Sequence, residues 1–471
     1  MIVKKNLLEV IMGWVELEME TIDLGDRRLN QRSFNVLEGL GLAPGRTIPQ
    51  AFQAWNEIKA TYNFFNNDSV SEEKILAPHL EKTIERIKEY SVVLFTSDTT
   101  DVNYTTKKAM KNKERLDNKQ NGLWLHATIA VTPERLNLGL IQANFWHREP
   151  EVAEKSSSYQ TARDKASIEE KESYRWIESY QKACEIAKEV PETQIINITD
   201  REGDIIELFE LAASKPENAK ANFIIRSQYD RLIEATDVEE NKAIKKLWQK
   251  LKKADSLGEL EFVIPTRGDR KARKVKQQLK AVSVTLTPSN KKKAIVVNAV
   301  MAIEEQPPEG EDPVIWVFIT DLPIKTFEDI CKIIEYYLCR WQIELFFKVL
   351  KSGCKIEERQ LETAERIKNL LAIFMIISWR VMFTMMLGRI CGEMSCADLF
   401  DEAEWKSVYK IMNKKKALPR KPPTLCEFII MVAQLGGYVK QKDGEPPGVK
   451  TMWKGMARMV DFAIAWEAFG R

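Results

Sequence analysis

The 471-residue sequence predicts an α/β protein: a mixed sheet flanked by helices, interrupted by a β-rich insertion and bounded by helical segments at both ends. Three observations carry this. Short apolar runs of strand type recur from Ser91 and, past residue 168, alternate with helical stretches. A second strand-rich stretch fills residues 229–315. Both ends of the chain lack β-rich runs and carry helical patterning.

Residues 1–70 read as helices broken at LGLAPGRTIPQ, and Asn66-Asn67-Asp68-Ser69 reads as a cap before the next helix. VVLFTS ahead of Asp98, LWLHATIAV after Gly122 and LGLIQANFW ending at Trp146 predict three strands of an antiparallel meander. A polar helix over 168–190 leads to the strand QIINIT, which ends just before Asp200. A helix follows Gly203, and the strand NFIIRS ends at Ser227. LEFVIP, AVSVTL and AIVVNAVMAI give the insertion its β character. WVFIT, from Trp316 to Thr320, resumes the sheet ahead of one long helix over about 327–352. The rest is helical, broken at RKPP and DGEPPG. The expected domains are 1–70, 71–385 with the insertion at about 229–315, and 386–471, in line with the three or so that the length favours.

A chain 44% hydrophobic and 30% charged, without internal repeats, is expected to fold as a soluble globular protein. Glu9, Glu16 and Glu18 interrupt the apolar stretch after Lys4 and Lys5, so no secretory signal is expected and the predicted location is cytoplasmic. Residues 370–387, LLAIFMIISWRVMFTMML, imitate a membrane span. Arg380 near their middle would cost ~2.5 to 3.5 kcal/mol to insert, so a buried core helix is expected and no membrane. Seven scattered cysteines with no Cys-x-x-Cys pair read as reduced thiols. With only His79, His126 and His147 available, zinc clusters and histidine acid/base schemes have little material, and any metal must be a hard ion on carboxylates.

A net charge of +2 does not by itself predict a nucleic-acid partner, but its distribution is uneven. Residues 242–293 hold sixteen Lys or Arg against four acids (Asp255, Glu259, Glu261, Asp269), an excess of twelve. Residues 405–426 hold seven basic residues (Lys406, Lys410, Lys414, Lys415, Lys416, Arg420, Lys421) and no acid. Such blocks are usually solvated faces; two in one chain also fit a groove that tracks phosphates.

Two aspartates, Asp98 and Asp200, each follow directly on a short apolar strand, where a carboxylate points from a rigid element into the crevice at strand ends. An aspartate after a strand is also an ordinary turn former. On the long helix, Tyr337, Arg340, Glu344 and Lys351 stand at offsets 0, 3, 7 and 14. At ~100° per residue they fall near ~0°, 300°, 340° and 320°, with Lys348 at ~20°, so one narrow face holds a carboxylate among cations. Ile330, Ile334, Leu338, Trp341, Leu345 and Val349 occupy the adjoining arc, which is expected to face the core. A surface helix with ordinary Arg–Glu and Glu–Lys pairs, each worth ~0.2 to 0.5 kcal/mol, would show the same stripe.

Asp98-Thr99-Thr100, the run Asp200-Arg201-Glu202-Gly203-Asp204 and the spacing Tyr-x2-Arg-x3-Glu-x6-Lys resemble the DDE transposases of bacterial insertion sequences, in particular the YREK-signature group, the IS-four family. The resemblance runs nearly end to end. It includes Leu24-Gly25-Asp26 with Arg28 and Arg32, ATYNFFNN from Ala60, LGGY at Leu435 and EPPGVKTMWKG. The first 70 residues depart from the pattern in being acidic, with seven basic against nine acidic residues.

The resemblance implies an RNase H-like catalytic core, an N-terminal helical domain that recognises the transposon end and a C-terminal helical domain that dimerises. It implies that Asp98, Asp200 and Glu344 hold two Mg²⁺ ions, with Mn²⁺ as a substitute, for in-line phosphoryl transfer. Tyr337, Arg340, Lys348, Lys351 and Arg226 would grip phosphates beside the scissile bond, and Arg28 and Arg32 would contact the end. Trp316, 28 residues before Glu344, would receive a base extruded as the DNA end passes through a hairpin. The implied partners are double-stranded DNA, as transposon ends and as target, and a second copy of the chain on paired ends. A catalytically inactive or domesticated relative that binds ends is the main rival, and the intact carboxylate set argues against it. A tyrosine recombinase using Tyr337 would want histidines nearby, and none follows His147. A general RNase H-type nuclease leaves both flanking segments without a task.

Overall fold

A computed structural model describes residues 13–469 apart from 43, 53, 118, 147–167, 217–218, 240–241, 267–270, 288–293, 415 and 441–443. Lys4, Lys5, Glu9, His147, Lys415 and, in the first basic block, Arg267, Asp269, Arg270 and residues 291–293 lie outside the described residues. In chain order the helices are α1 (Trp14–Glu18), α2 (Arg27–Leu42), α3 (Ile48–Ala51), α4 (Trp55–Phe65), α5 (Glu72–Ile87), α6 (Tyr174–Glu189), α7 (Ile206–Ser214), α8 (Leu247–Lys253), α9 (Phe327–Leu338), α10 (Trp341–Lys348), α11 (Ala364–Ile390), α12 (Glu402–Met412), α13 (Leu425–Leu435) and α14 (Val449–Phe469). The strands are β1 (Val92–Asn103), β2 (Glu114–Arg115), β3 (Asn121–Val131), β4 (Asn137–Trp146), β5 (Gln194–Thr199), β6 (Asn222–Arg226), β7 (Leu232–Glu239), β8 (Lys242–Lys246), β9 (Ser256–Ile264), β10 (Arg273–Leu286), β11 (Ile295–Ile303) and β12 (Ile315–Thr320). The fold is a large mixed sheet with flanking helices and helical ends, as the sequence predicts.

The chain divides into two compact units: Met1–Tyr90, Thr99–Glu151 and Trp341–Arg471 form one, Ser91–Asp98 and Val152–Arg340 the other. Both helical ends thus fall in the first unit, a division that differs from the three consecutive segments read from sequence.

In the second unit the strand order is β1-β5-β6-β12-β11-β10-β7-β8, with β9 also paired to β10. β1, β5 and β6 are parallel neighbours, and β12, β11 and β10 continue the sheet antiparallel. Side chains alternate across a strand, so Leu94, Ile196, Ile198, Ile224, Phe318 and Val300 share one face. That face is sealed by Ile330, Ile333, Ile334 and Tyr337 of α9. Tyr180, Phe209 and Phe223 make edge-to-face contacts that join α6 and α7 to the other face. Thr326 caps α9 reciprocally with Asp329, which fixes where that helix starts.

The insertion is β-rich as expected, and part of its basic charge is taken up in ion pairs. Arg273 pairs with Glu304 and Glu311, Lys274 with Glu261, Lys276 with Glu259 and Lys280 with Glu305. Glu304, Glu305 and Glu311 lie outside the block in sequence. A count along the chain misses acids that antiparallel pairing brings across from other strands.

In the first unit β3 pairs antiparallel with β4, and β2 with β3. α11 is the one described helix long and apolar enough to cross a membrane, and 89% of its most apolar window is buried, as expected for a core helix. It packs on α2, α4, α5, β4, α13 and α14. Its half-buried Arg380 lies 5.4 Å over the Trp14 ring. Beneath α5, His79 and Glu18 are buried 2.5 Å apart, and Arg86 donates to both Glu18 oxygens at 2.9 and 3.0 Å. Burial would raise the Glu18 carboxyl, but Arg86 and His79 outweigh it and hold Glu18 down at about 2. The Leu140 amide donates to His79 Nε2, so Nδ1 carries the imidazole proton toward Glu18.

The expected single helix over 327–352 is corrected. α9 ends at Leu338, Cys339 and Arg340 form a turn whose amides bond back to Tyr336 and Tyr337, and α10 runs into a five-residue π turn, Val349–Gly353. Tightening at one end and widening at the other shift the angular phase, so the wheel drawn for a continuous helix does not hold. Ile330, Ile334 and Val349 are buried as expected. Trp341, placed on the inward arc, is 53% exposed, while Gln342, Ile343, Phe346 and Phe347 of α10 are buried.

Candidate active site

β1 pairs with β5 up to Thr96 opposite Ile198, so Asp98 and Asp200, each two residues further on, lie on the same face of neighbouring parallel strands. This is the face that α9 covers. Asp98 does not follow its strand as predicted; it lies within β1, which continues to Asn103. Burial falls away from Asp98 onward, but Thr99, Thr100 and Val102 keep the β preference, so the apolar run ends before the strand does. Asp200 directly follows β5 and accepts the Glu202 amide at 2.9 Å, capping the short turn Arg201–Gly203. Burial pushes the Asp200 carboxyl above its usual range. The Glu202 amide, Arg340 and Arg175 oppose that rise, while the Glu202 carboxylate adds to it.

Arg340, in the turn after α9, reaches Asp98 at 3.3 Å with 11% of its side chain exposed, and its charge is also felt at Asp200. Tyr337 is buried at 7%, with its ring centroid 4.5 Å from that of Phe318. Burial raises the Tyr337 phenol, with Arg340 and Arg226 opposing. Arg226 ends β6 opposite Phe318 of β12, which puts it on the same sheet face. Trp316 lies on β12, an interior strand between β6 and β11, half-buried and stacked on Phe262 at 5.4 Å.

The second unit therefore brings Asp98, Asp200, Arg226, Tyr337, Arg340 and Trp316 onto one face of its sheet. Glu344, Lys348 and Lys351 belong to the first unit. Glu344 lies in the first turn of α10 and Lys348, at its end, is exposed. Lys351 is held by Asp101 at 3.2 Å and Glu357 at 3.5 Å, partners the sequence did not suggest. Both predicted end-binding arginines are on α2. Arg28 has 93% of its side chain exposed, whereas Arg32 is engaged by Glu57.

Around Asp200 nothing in the sequence points to Arg175, or to a role for Gly203 and Asp204 beyond their place in the motif. Arg175 of α6 pairs with Glu202 at 2.5 Å; it lies 25 residues before Asp200 on a polar helix and gave no signal. Gly203 has a detectable reason, since a Cβ there would stand 2.3 Å from Thr199 Oγ1 and 2.5 Å from its Cβ. Asp204, last in the Asp-Arg-Glu-Gly-Asp run, is a structural staple. It accepts the Gln228 and Tyr229 amides at 2.6 and 3.1 Å and Arg231 at 2.5 and 2.7 Å.

Among the described residues no three His, Cys, Asp or Glu side chains converge as a finished metal cage. The donor chemistry nevertheless suits a hard divalent ion. Asp98 and Asp200 offer carboxylate oxygens from adjacent strands, and the desolvated Asp200 is the kind of group a nearby dication relieves.

Three family models match the chain: transposase DNA-binding over residues 11–70, transposase DDE domain over 218–379, and transposase Tn5 dimerisation domain over 376–468. The DDE match takes in Arg226, Trp316, Tyr337, Arg340, Glu344, Lys348 and Lys351; Asp98 and Asp200 precede it. Among solved structures, a cryo-EM structure of a piggyBac transposase synaptic complex with hairpin DNA aligns with 93% of this chain and 86% of that one. The identity is 8% and the TM-score 0.35, too loose a likeness to bear on fold or function.

Proposed function

Because the chain belongs to the Tn5-like IS4 family of DDE transposases, enzymes that bind DNA and cut and join its strands with divalent metal, we propose that Asp98, Asp200 and Glu344 are its catalytic carboxylates. The observation that carries this is the register of β1 on β5, which puts Asp98 and Asp200 on one face of neighbouring strands, with Arg340 3.3 Å from Asp98 and its charge acting on Asp200. Glu344, four residues after Arg340, is the third carboxylate by its place in the Tyr-Arg-Glu-Lys spacing. These carboxylates would hold two divalent ions, Mg²⁺ with Mn²⁺ as substitute, which would supply Lewis-acid chemistry for phosphoryl transfer.

The chain's own residues supply the rest. The buried Tyr337 hydroxyl and the guanidinium groups of Arg226 and Arg340, both of which act on it, receive phosphate oxygens beside the scissile bond; these contacts position the DNA without reading its sequence. Exposed Lys348 is available to phosphate as it stands, whereas Lys351 must exchange Asp101 and Glu357 for it. Arg28 contacts the transposon end from the helical N-terminal segment. Arg32 does so only on leaving Glu57. Trp316 stacks on a base extruded during a hairpin step. Residues 1–70 act as the end-binding domain, 71–385 as the catalytic domain and 386–471 as the segment that pairs two protomers on two ends.

The test is substitution of each carboxylate. Asp98→Ala, Asp200→Ala and Glu344→Ala are each expected to abolish cleavage of an end duplex in Mg²⁺ while preserving end binding in a metal-free gel shift. Near wild-type nicking by any one of them removes that residue from the set.

A further inference from the structure

Away from the carboxylates, the first unit contains an open groove of about 610 Å³ between the residues near Gly353, the α13 terminus and one side of α14. Lys355, Lys450, Lys454 and Arg458 line it, all exposed, and among the described residues no acidic one does. Lys450, Lys454 and Arg458 follow one another at four-residue intervals on α14, which makes a ridge of cations rising ~6 Å per step. The floor is backbone and a ring: Gly437 at φ +96° has open space where a Cβ would be, and Trp453 closes the base.

Helix stability does not account for Lys450: a cation in the first turn of a helix opposes its dipole, and α14 has no acid in its first turn to offset it. Lys355 also holds a left-handed backbone, φ 50°, that glycine would adopt at lower cost. Arg458 donates to the Leu435 carbonyl at 2.6 Å, and Lys355 has an exposed pair with Glu358 at 3.5 Å.

We propose that this groove is a second DNA-binding surface, one that holds the phosphate backbone of target duplex. A duplex strand carries one negative charge per ~3.4 Å of axis, so the ridge from Lys450 to Arg458, ~12 Å long, faces three to four phosphates. Target is the occupant, in preference to a transposon end, because the described residues that line the groove offer point charges and backbone and no carboxamide or carboxylate to read base edges. The proposal rests on the transposase reading only in naming that DNA a target.

The experiment uses the full-length protein, with Lys450→Ala/Lys454→Ala as the variant and Lys450→Arg/Lys454→Arg as the charge-preserving control. Binding of a short random-sequence duplex is followed by fluorescence anisotropy across a salt series, beside nicking of an end duplex. Removing two phosphate contacts should flatten the log K against log salt slope by ~1.8. The arginine variant should restore the slope, and end nicking should be unchanged. Four results overturn the proposal: an unchanged slope; a fall seen with end duplex alone; loss in the arginine variant together with a lowered melting temperature; or a changed sedimentation state without DNA, which would make the groove a contact between copies. If the wild type nicks no end duplex but the random-duplex slope still falls, the groove stands as a DNA surface and the catalytic reading fails.

Discussion

Asp200 and Asp204 stand four residues apart in one run of sequence, yet their surroundings predict opposite responses to replacement. Asp204 is fully buried and holds Arg231, itself only 14% exposed, together with two backbone amides. Asp204→Ala takes the carboxylate from a buried guanidinium and leaves two backbone donors unpaired, a loss of ~3 to 5 kcal/mol. At ~2 to 4 °C per kcal/mol for a unit of this size, the melting temperature should fall by ~6 to 20 °C. Asp200 is instead held in the fold against its desolvation. Asp200→Asn keeps an oxygen to accept the Glu202 amide and removes the penalised charge, so the metal-free variant should melt with the wild type or above it.

The pH dependence follows from the same shift. A carboxyl raised in the folded state binds more protons there than when unfolded, so its penalty is present above the folded pKa and disappears as pH falls through it. The advantage of Asp200→Asn should therefore be visible at neutral pH and vanish in acid. Calorimetry in chelator measures both variants. Divalent cation should then raise the melting temperature of the wild type but not of Asp200→Asn. Asp204→Ala melting with the wild type, or Asp200→Asn melting as low as is expected for Asp204→Ala, would refute the division of roles.

Glu18→Ala strands His79 and Arg86 and should cost ~3 to 5 kcal/mol. Because Glu18 is held at about 2, its stabilisation is complete above 4.5 and is lost as pH falls toward 2, so Glu18→Gln should flatten the acid limb of a stability-against-pH curve. Trp316→Ala is expected to nick normally, accumulate nicked DNA with little hairpin, and recover partly with an abasic nucleotide beside the cut; parallel loss of both steps with a lowered melting temperature would make the stack on Phe262 its whole role. Ile464 and Phe469 of α14 are 51% and 87% exposed, so Ile464→Asp/Phe469→Asp should abolish the paired-end complex in gel shift while single-end binding and thermal stability persist. Truncation after Ile390 is a poorer test of pairing, since it would strip α13 and α14 from α11.

Elements whose signal is local were legible in the sequence. The alternation of β5, α7 and β6, the β-rich insertion and the buried nature of α11 rest on periodicity, turn residues and composition, which neighbours along the chain determine. The carboxylate and cation spacing was likewise legible, because the resemblance is carried by residue identity. What depended on the three-dimensional arrangement was which charges are spent. Sequence could not show that Arg32 is taken by Glu57 and Lys351 by Asp101, or that acids from outside the basic block pair with Arg273 and Lys280, because each partner arrives from another part of the chain. Nor could it separate Asp200 from Asp204, since a desolvated carboxylate at a strand end and a buried staple differ only in what the fold packs around them. The break of the long helix at Cys339 and Arg340 belongs with these: every residue there tolerates a helix, and the phase of each segment follows the surface it must bury.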